Sequence, residues 1–561
     1  MKNIKTRNDF AKFIGVKLQT LTYLLYIKKI DNCYNTLEIP KKNGDTRTIC
    51  VPNKNLKKVQ KKLYNKLSTY YDEIKTQNNF TSKISHGFEK NRSIVTNAEV
   101  HKNKRYVVNL DLLDFFPSIN FGRVRSYFIK NNYFEINDDI ATILAQLTCY
   151  KGTLPQGAST SPLIANMICN IMDIRILKIA KKYRLDYTRY ADDLTFSTNN
   201  KYFLNDYDKF LEDIKNIIHR SGFELNSKKT RLLFSNSRQE VTGLVVNKKI
   251  SVPKEYYKNT RAMAHSLYKN GYFLIDDEVG TIEQLEGRFS FINQINLYNI
   301  DNKKKNMWHL NSKEKQYQKF MIYKTFYANE KPLIITEGKT DVLYIKAVLK
   351  KYYKYFPNLI TKKDNGNFVF HVNFFKRKQK HSYYLNLVKD GADTIKNIYS
   401  NCYIKTKNNK NITTVHDFKK LRGERETNPV ILIFDNEMVS NKDRPLKKFL
   451  NEIKVNASQK DKLKENLYIN ICDNLYLCTY QLNNKEACEI EIEDLFPADV
   501  LEHEINGRKF SKKDSTHDNG FYGKNEFSQY VYSNYESIDF SNFISLLSAI
   551  NEIIELYPNN I

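Results

Sequence analysis

The chain has 561 residues, too many for a single hydrophobic core, which predicts two to four domains. Its formal net charge is +28, and the excess is uneven: residues 1–330 hold 55 basic and 32 acidic side chains, whereas residues 331–561 hold 35 and 30. This asymmetry indicates a polyanionic partner, and the 39 Tyr and 33 Phe favour nucleic acid over an anionic membrane.

The cysteines and the hydropathy pattern exclude several classes of protein. The eight cysteines stand singly without a CxxC pair, which argues against a zinc site and against a disulfide framework. No apolar run approaches the ~20 residues that cross a bilayer. We therefore expect a soluble, cytoplasmic protein with no membrane partner.

The first elements of the chain are a helical segment and a basic hairpin. Residues 8–30 place apolar side chains at helical spacing, and Ile39–Ile49 reads as two strands around a Gly turn. Arg47 projects from the second strand. The hairpin could hold a triphosphate or a template backbone, and the alternative is an ordinary surface hairpin.

Three aspartates define the first candidate site. The strand-like run Tyr106–Leu110 leads into Asp111, and a second strand pattern surrounds Asp192 and Asp193, which predicts a hairpin with these acids at its tip. Neighbouring carboxylates repel each other, and a hard divalent cation such as Mg²⁺ relieves that conflict. On adjacent strands the three acids would provide the carboxylates of a two-metal phosphoryl transfer.

Other residues nearby suit nucleotide binding. Phe116 lies five positions after Asp111, where a ring would crowd a ribose 2′-hydroxyl, although it could equally be a core aromatic. The loop 152–162 opens an apolar helix, and its small residues together with Gln156 and Gly157 let backbone N–H groups approach a nucleotide. Lys229 follows the hairpin and would lie near phosphates.

These motifs in this order resemble a reverse transcriptase of the retron type. Asn97–His101 looks like the NAxxH motif of retron enzymes, Val241–Gly243 looks like their VTG motif, and Tyr190–Asp193 matches the YADD hairpin. The resemblance implies an α+β right-hand polymerase fold of fingers, palm and thumb. Its expected domains are fingers and palm at 1–245, a helical thumb that grips a structured RNA at 246–320, and a linker at 321–330.

The same resemblance implies roles for the residues named above. Asp111, Asp192 and Asp193 would be the catalytic, Mg²⁺-binding acids. Gln156 and Gly157 would contact the incoming nucleotide and the template, Lys229 would lie near its phosphates, and Arg47 would belong to the fingers.

A second acid cluster is expected after residue 330. A short apolar strand ends before Glu337, and the buried-type strand Val430–Phe434 ends before Asp435 and Glu437. Because chemistry in open α/β sheets gathers at the carboxyl ends of strands, we expect these acids to converge. Asp341 follows Glu337 by four residues and is predicted to share its helix face.

Residues 331–561 resemble a Toprim domain, most closely that of OLD-type nucleases. The resemblance implies an α/β fold with a mainly parallel sheet and a second divalent-metal site at Glu337, Asp341, Asp435 and Glu437. Glu493 would be a further acidic ligand, and Lys524 would steady the transition state. The alternatives are an electrostatic role for Glu337 and Asp341 at a helix N-terminus, and a topoisomerase or primase module.

The sequence therefore predicts a fusion of two enzymes. The first half would be an RNA-directed DNA polymerase that copies its own noncoding RNA into a branched RNA–DNA product. The second would be a Toprim nuclease effector of antiphage defence. The expected partners are that RNA, its branched product, dNTPs and a nucleic-acid target of the Toprim domain. Whether the chain is a monomer or a homo-oligomer stays open. A Toprim half that is only a binding scaffold, or a defence reverse transcriptase outside the retrons, are the rival hypotheses.

Overall fold

The computed structural model describes two compact units, Met1–Lys254 and Glu255–Ile561. Its described residues are 1, 3–40, 44, 46–78, 84–300, 306–387, 391, 393–406, 410–440, 442–481, 489–512 and 520–557. Most of the turn predicted within Ile39–Ile49 lies outside them.

The first unit consists of helices packed around an antiparallel sheet. Its α-helices are α1 (Arg7–Ile14), α2 (Leu18–Thr22), α3 (Lys54–Gln77), α4 (Ile94–Val100), α5 (Phe121–Lys130), α6 (Asp138–Thr148), α7 (Ser161–Lys182) and α8 (Tyr207–Arg220). Its strands are β1 (Tyr34–Pro40), β2 (Thr46–Pro52), β3 (Tyr106–Leu113), β4 (Asp186–Tyr190), β5 (Asp193–Thr198), β6 (Glu224–Leu225), β7 (Arg231–Phe234), β8 (Glu240–Val241) and β9 (Leu244–Val245).

The central sheet of this unit has the strand order β4-β5-β3-β6, and β7 also pairs with β3. Its inner strands are buried along nearly their whole length because their side chains are mostly apolar or β-branched. Helix α7 begins with Pro162 in its first turn and is apolar around most of its circumference, so it is buried in the core of the unit.

Two predicted strands of the first unit differ in the structure. The β-branched segment Val241–Asn247 predicts a single strand from its sequence, and that prediction is wrong: β8 and β9 form a hairpin whose turn places Thr242 at φ +47° and Gly243 at φ +78°. The β-branched residues favour a strand locally, but glycine permits the left-handed turn. Asp111 lies inside β3 and not at its end.

The second unit is an α/β region. Its α-helices are α9 (Lys254–Asn270), α10 (Ile282–Tyr298), α11 (Ser312–Ile322), α12 (Asp341–Lys351), α13 (Gln379–Leu385), α14 (Asp393–Ile398), α15 (Val415–Arg422), α16 (Pro445–Glu452), α17 (Ala457–Asn466), α18 (Ala498–Leu501), α19 (Lys524–Ser533) and α20 (Ile544–Leu556). Its strands are β10 (Leu274–Ile275), β11 (Glu278–Val279), β12 (Leu333–Ile335), β13 (Ile360–Lys362), β14 (Phe368–Phe370), β15 (Asn373–Phe374), β16 (Val430–Ile433), β17 (Tyr468–Cys472), β18 (Leu475–Cys478), β19 (Lys509–Phe510) and β20 (Phe521–Tyr522).

The main sheet of the second unit has the order β15-β12-β16-β18-β17. All neighbours pair in parallel except β17 and β18. The mainly parallel sheet predicted for the C-terminal region is therefore confirmed. Strand β16 is completely buried, as expected for an apolar run covered by helices on both faces.

The predicted linker at 321–330 is wrong. Helix α11 runs to Ile322, and a π-helical turn, Tyr323–Tyr327, continues it. Phe326 and Tyr327 are buried in a core that also contains side chains of α9 and α10 and of the parallel sheet. Polar residues such as Lys324, Asn329 and Glu330 gave this segment its linker-like composition.

The helices predicted as a thumb therefore belong to the same compact unit as the C-terminal parallel sheet. Tyr323 illustrates this packing, because its ring lies 4.9 Å from the ring of Tyr268 in α9 and 5.1 Å from that of Phe418 in α15. No helix in the described parts of the chain is long and apolar enough to span a bilayer.

This shared core predicts how fragments behave. A fragment of residues 255–561 should unfold in one cooperative thermal transition, because it keeps the core intact. A fragment of residues 331–561 lacks α9, α10 and α11, exposes the apolar side chains they cover and should lose that transition. Near-ultraviolet circular dichroism during heating measures both, and equal cooperativity of the two fragments would contradict the assignment.

Candidate active site

The three palm aspartates lie on neighbouring strands. Asp111 of β3 stands directly opposite Asp193 of β5 in the antiparallel register. Ala191 and Asp192 form the turn of the β4–β5 hairpin, and Ala191 has φ +56°. The backbone N–H of Leu112 donates to the carbonyl of Asp192 over 3.1 Å. Main-chain pairing therefore brings the three aspartates together at one place in the sheet.

Burial and mutual repulsion perturb these acids. Burial, with the charges of Asp192 and Asp111 added to it, raises the pKa of Asp193 to about 7. Burial also raises the pKa of Asp192, and the charges of Lys229 and Arg47 oppose that rise. Carboxylates whose charged form is disfavoured in this way gain stability from a hard cation bound through oxygen, so this donor set fits Mg²⁺.

Asp111 is held by two side chains from the segment that follows β6. Lys229 forms an ion pair with its Oδ1 at 2.9 Å, and the side-chain amide of Asn226 donates to its Oδ2 over 3.2 Å. The backbone N–H of Asn226 also donates to the carbonyl of Asp111. Lys229 therefore lies at the acids, whereas the contribution of Asn226 was missed because a lone Asn in a loop carries no sequence signal.

The loop before α7 packs against the finger hairpin. The backbone N–H of Cys50 in β2 donates to the carbonyl of Gln156 over 2.7 Å. Gly157 has φ +124°, and a Cβ at this position would lie 2.5 Å from the carbonyl oxygen of Cys50. Only glycine fits here. Arg47 lies on the same strand as Cys50, so the predicted nucleotide-binding residues occupy one neighbourhood.

Phe116 is half-buried beside the palm. Its ring lies 5.2 Å from that of Phe115 and 6.3 Å from that of Phe88. The ring therefore packs against the core, as the alternative interpretation had it. Its role beside a ribose stays a prediction.

A buried ion pair lies behind the catalytic hairpin. Arg189 of β4 is fully buried, donates to both carboxylate oxygens of Asp173 in α7 over 2.8–3.1 Å, and also donates to the carbonyl of Ala191. Sequence reasoning missed this pair. The available signal was an aspartate within an otherwise apolar helix and an arginine within a buried strand.

Comparison with known proteins identifies the first half of the chain. The family model described as "Reverse transcriptase (RNA-dependent DNA polymerase)" matches residues 39–256. Retron Ec86 reverse transcriptase of Escherichia coli is 35% identical over 51% of this chain and 83% of its own length. The chain belongs to the retron reverse transcriptases. Two Myxococcus xanthus relatives, the Retron Mx162 and Retron Mx65 reverse transcriptases, are 32% and 30% identical over 52% of this chain and over 64% and 69% of their own lengths.

The part of this retron reverse transcriptase beyond the matched half carries the second acid cluster. Strands β12 and β16 are parallel neighbours, with Ile335 opposite Leu432. Glu337 and Asp435 follow their ends, and the backbone N–H of Asp435 donates to Glu337 Oε1 over 3.3 Å. Burial, with the charges of Glu437 and Asp341 added to it, raises the pKa of Glu337 to about 7, and burial beside Glu337 raises the pKa of Asp435.

Asp341 lies beside these acids, but not as predicted. Helix α12 begins at Asp341, so Glu337 is in the preceding turn and the shared helix face is wrong. The carboxylate of Asp341 instead accepts from the backbone N–H of Gly338 over 2.8 Å and from the hydroxyl of Thr340. A Cβ at Gly338 would lie 2.6 Å from Asp341 Oδ1, so a side chain at this position would displace the Asp341 carboxylate.

Basic side chains border the cluster. Lys524 forms ion pairs with Glu493 at 3.1 Å and Glu491 at 3.3 Å. Arg444 lies 3.9 Å from Glu437. One carboxylate oxygen each of Glu437 and Glu493 is buried without a hydrogen-bond partner, and such oxygens fit a cation.

Within the described residues, no three His, Cys, Asp or Glu side chains are grouped closely enough to hold one metal ion. This applies to the palm acids and to the second cluster alike. The structure brings the predicted acids into the same neighbourhoods, and the metal ligation itself stays a prediction.

The buried ion pair gives a testable expectation. Arg189→Met should destabilise the protein by about 3–5 kcal/mol, because it leaves the carboxylate of Asp173 buried without its partner. The double variant Asp173→Leu/Arg189→Met should recover much of that loss, since no buried charge remains. Chemical denaturation measures both, with the exposed Arg175→Met on α7 as the matched control. A loss no larger than that of the control would contradict the structural role of the pair.

Proposed function

We propose that this retron reverse transcriptase copies part of its own noncoding RNA and primes from an RNA 2′-hydroxyl, which leaves a branched RNA–DNA product. The observation that carries the proposal is the register of β3 and β5, which sets Asp111 opposite Asp193 beside the Asp192 turn. The retron motifs NAxxH and VTG, present as Asn97–His101 and Val241–Gly243, favour self-copying over general reverse transcription.

In this proposal the palm acids hold divalent metal. Asp111, Asp192 and Asp193 would bind two Mg²⁺ ions, which would align the attacking 3′-oxygen with the α-phosphate of the dNTP and stabilise the developing charge. Their crowding supports this role, because a cation relieves the repulsion that raises the pKa of Asp193. Lys229 would keep Asp111 in place and supply positive charge toward the triphosphate.

The remaining predicted residues surround the nucleotide. The Gln156–Gly157 loop would contact the incoming nucleotide and the template, and Arg47 on the adjacent strand would bind a phosphate. Phe116 would exclude a ribose 2′-hydroxyl through the exposed part of its ring. The net charge of +23 over residues 1–330 supports binding of the RNA template and the product.

The palm assignment predicts the effect of removing two acids. Asp192→Asn together with Asp193→Asn should abolish DNA synthesis on an RNA template, because neutral amides do not hold the metals. The thermal midpoint should stay equal to that of wild type or rise, since a like-charge repulsion is removed. Primer extension and thermal unfolding measure the two effects.

The matched control for this experiment is Asp206→Asn with Asp208→Asn, which makes the same change in charge at exposed positions of the same unit. It should leave synthesis unchanged. Substantial extension by the palm double variant would place the active site elsewhere.

For the C-terminal region we propose a Toprim-type metal-dependent nuclease that acts as the effector of antiphage defence. The observation that favours it is the meeting of Glu337 and Asp435 at the carboxyl ends of two parallel neighbours. Glu337, Asp341, Asp435, Glu437 and Glu493 would hold the divalent metal, which would activate the attacking water and stabilise the leaving group. Lys524 would neutralise charge that develops on the phosphate.

The rival proposal is a non-catalytic scaffold that binds the polymerase product. The burial of Glu337 and Asp435 beside Glu437 favours the nuclease, because buried carboxylates of like charge repel a phosphate backbone unless a cation lies between them. The branched product would restrain the nuclease, since an unrestrained metal-dependent nuclease is toxic to its host.

The nuclease proposal predicts separate losses. Glu337→Gln should leave the yield of branched DNA unchanged but abolish Mg²⁺-dependent cleavage of DNA or RNA by the full chain and protection in phage-plating assays. The exposed Glu330→Gln, with the same loss of charge, should behave as wild type. Full protection by Glu337→Gln would support the scaffold, and loss of the product in that variant would mean that the two activities do not separate.

A further inference from the structure

Two of the motifs that identify the family have no place in the chemistry proposed above. The NAxxH residues Asn97 and His101 belong to α4 and the turn that follows it, and both are fully buried. Neither is at the carboxylates. Their contacts instead run to the back of the hairpin that carries Asp192 and Asp193.

His101 connects the two strands of that hairpin. Its Nε2 lies 2.7 Å from the hydroxyl of Thr188 in β4, and its Nδ1 lies 2.7 Å from the hydroxyl of Ser197 in β5. Thr188 is opposite Thr195 in the β4–β5 register, so the imidazole bridges the hairpin diagonally. All three bridging side chains are at most 1% exposed, which shields these hydrogen bonds from competing water.

The chain of hydrogen bonds has one consistent direction. The Thr188 hydroxyl donates to Asn97 Oδ1 over 2.6 Å, so its oxygen accepts from His101 Nε2–H. His101 Nδ1 then accepts from the Ser197 hydroxyl. Burial lowers the pKa of His101 to about 3, so the ring is neutral at physiological pH and has one donor and one acceptor, as this chain requires.

The VTG motif holds α4 from its other side. The hydroxyl of Thr242, in the turn between β8 and β9, lies 3.4 Å from the carbonyl of Ile94, the first residue of α4. After α4, the backbone N–H of Asn103 donates to the carbonyl of Val246 over 3.0 Å. The β8–β9 hairpin and the residue that follows it therefore contact the first residue of α4 and the chain after the helix.

We infer that the NAxxH and VTG motifs together form a clamp that positions the catalytic hairpin, with His101 and Thr188 as positioning residues for the polymerase reaction. The β4–β5 ladder sets the register of the two strands. The His101 bridge adds resistance to shear between them, because both hydroxyls must stay at hydrogen-bond distance from one rigid ring. Asp192 and Asp193 thereby stay in register with Asp111, and a misplacement of ~1 Å in such a site costs on the order of 100-fold in rate.

The inference rests on the polymerase function, and extension by the wild-type protein tests that function separately. The deciding comparison uses two substitutions of Thr188. Thr188→Val keeps the branched shape but removes the hydroxyl, whereas Thr188→Ser keeps the hydroxyl but removes the methyl group. If the hydroxyl positions the hairpin, the valine variant fails; if Thr188 only fills space, the serine variant is the worse of the two.

The experiment measures extension of an oligo(dT) primer on poly(rA) by the full chain over a range of Mg²⁺ concentrations, together with the thermal midpoint of each protein. Thr188→Val should lower kcat at least ~10-fold and raise the Mg²⁺ concentration for half-maximal rate several-fold. Thr188→Ser should stay within about 2-fold of wild type in both, even where its thermal midpoint is the lower.

A stability control separates positioning from general destabilisation. Gln60 is fully buried and donates to the Tyr34 hydroxyl and the Leu147 carbonyl, far along the chain from the hairpin. Gln60→Met should lower the thermal midpoint without changing the Mg²⁺ requirement. If Thr188→Val does not fold, Ser197→Ala takes its place, because it removes only the hydrogen bond to His101 Nδ1. The same defect in kcat and in the Mg²⁺ requirement is expected of it.

Three results would overturn the inference. They are a wild-type Mg²⁺ requirement in folded Thr188→Val or Ser197→Ala, a defect in Thr188→Ser as large as in Thr188→Val, and a Mg²⁺ shift in Gln60→Met equal to that of the hairpin variants. A Mg²⁺ shift in Gln60→Met would show that the Mg²⁺ requirement depends on the stability of the protein alone.

Discussion

The repulsion among Asp111, Asp192 and Asp193 is the constraint on which the first unit depends. Burial makes the charges of Asp192 and Asp193 harder to maintain, and the pKa of Asp193 near 7 expresses that cost. Main-chain pairing holds these acids in place, because Asp111 and Asp193 face each other across the β3–β5 ladder. Backbone hydrogen bonds do not depend on whether the carboxylates are protonated. Side-chain interactions then hold β4 from both faces. Arg189 pairs with Asp173 on one face of the strand, and the adjacent Thr188, which points to the opposite face, bonds His101.

The second unit also buries neighbouring carboxylates, but it positions them with a parallel sheet. Glu337 and Asp435 follow parallel neighbours, whereas the palm acids lie on antiparallel ones. The backbone N–H of Asp435 donates to the Glu337 carboxylate and stabilises its charged form. Arg377 donates to the carbonyls of Glu337 and Thr336, which fixes the turn between β12 and α12. In both units the backbone sets the spacing of the acids and nearby cations moderate their charge.

The sequence indicated which strands carry the acids but not which side chains support them, for physical reasons. Asp111, Asp192 and Asp193 could be found because each follows or interrupts a strand pattern, a local property of a few residues. The Arg189–Asp173 pair joins a strand to a helix and depends on the fold, so no local pattern reveals it. The 321–330 segment failed differently: Lys324, Asn329 and Glu330 make its composition polar, while Phe326 and Tyr327 are buried against helices that the sequence alone does not locate.

The helices expected to form the thumb lie in the same compact unit as the second acid cluster. The family match ends at residue 256, close to the boundary between the compact units at 254 and 255. Helices α9 and α10, the expected RNA-binding thumb, share a core with the C-terminal parallel sheet, and Glu286 of α10 forms ion pairs with Lys324 and with Lys380 of α13. Lys380 stands three residues after Arg377, the residue bonded to the Glu337 turn. Packed side chains and ion pairs therefore connect α10 to the neighbourhood of the second acid cluster within one core.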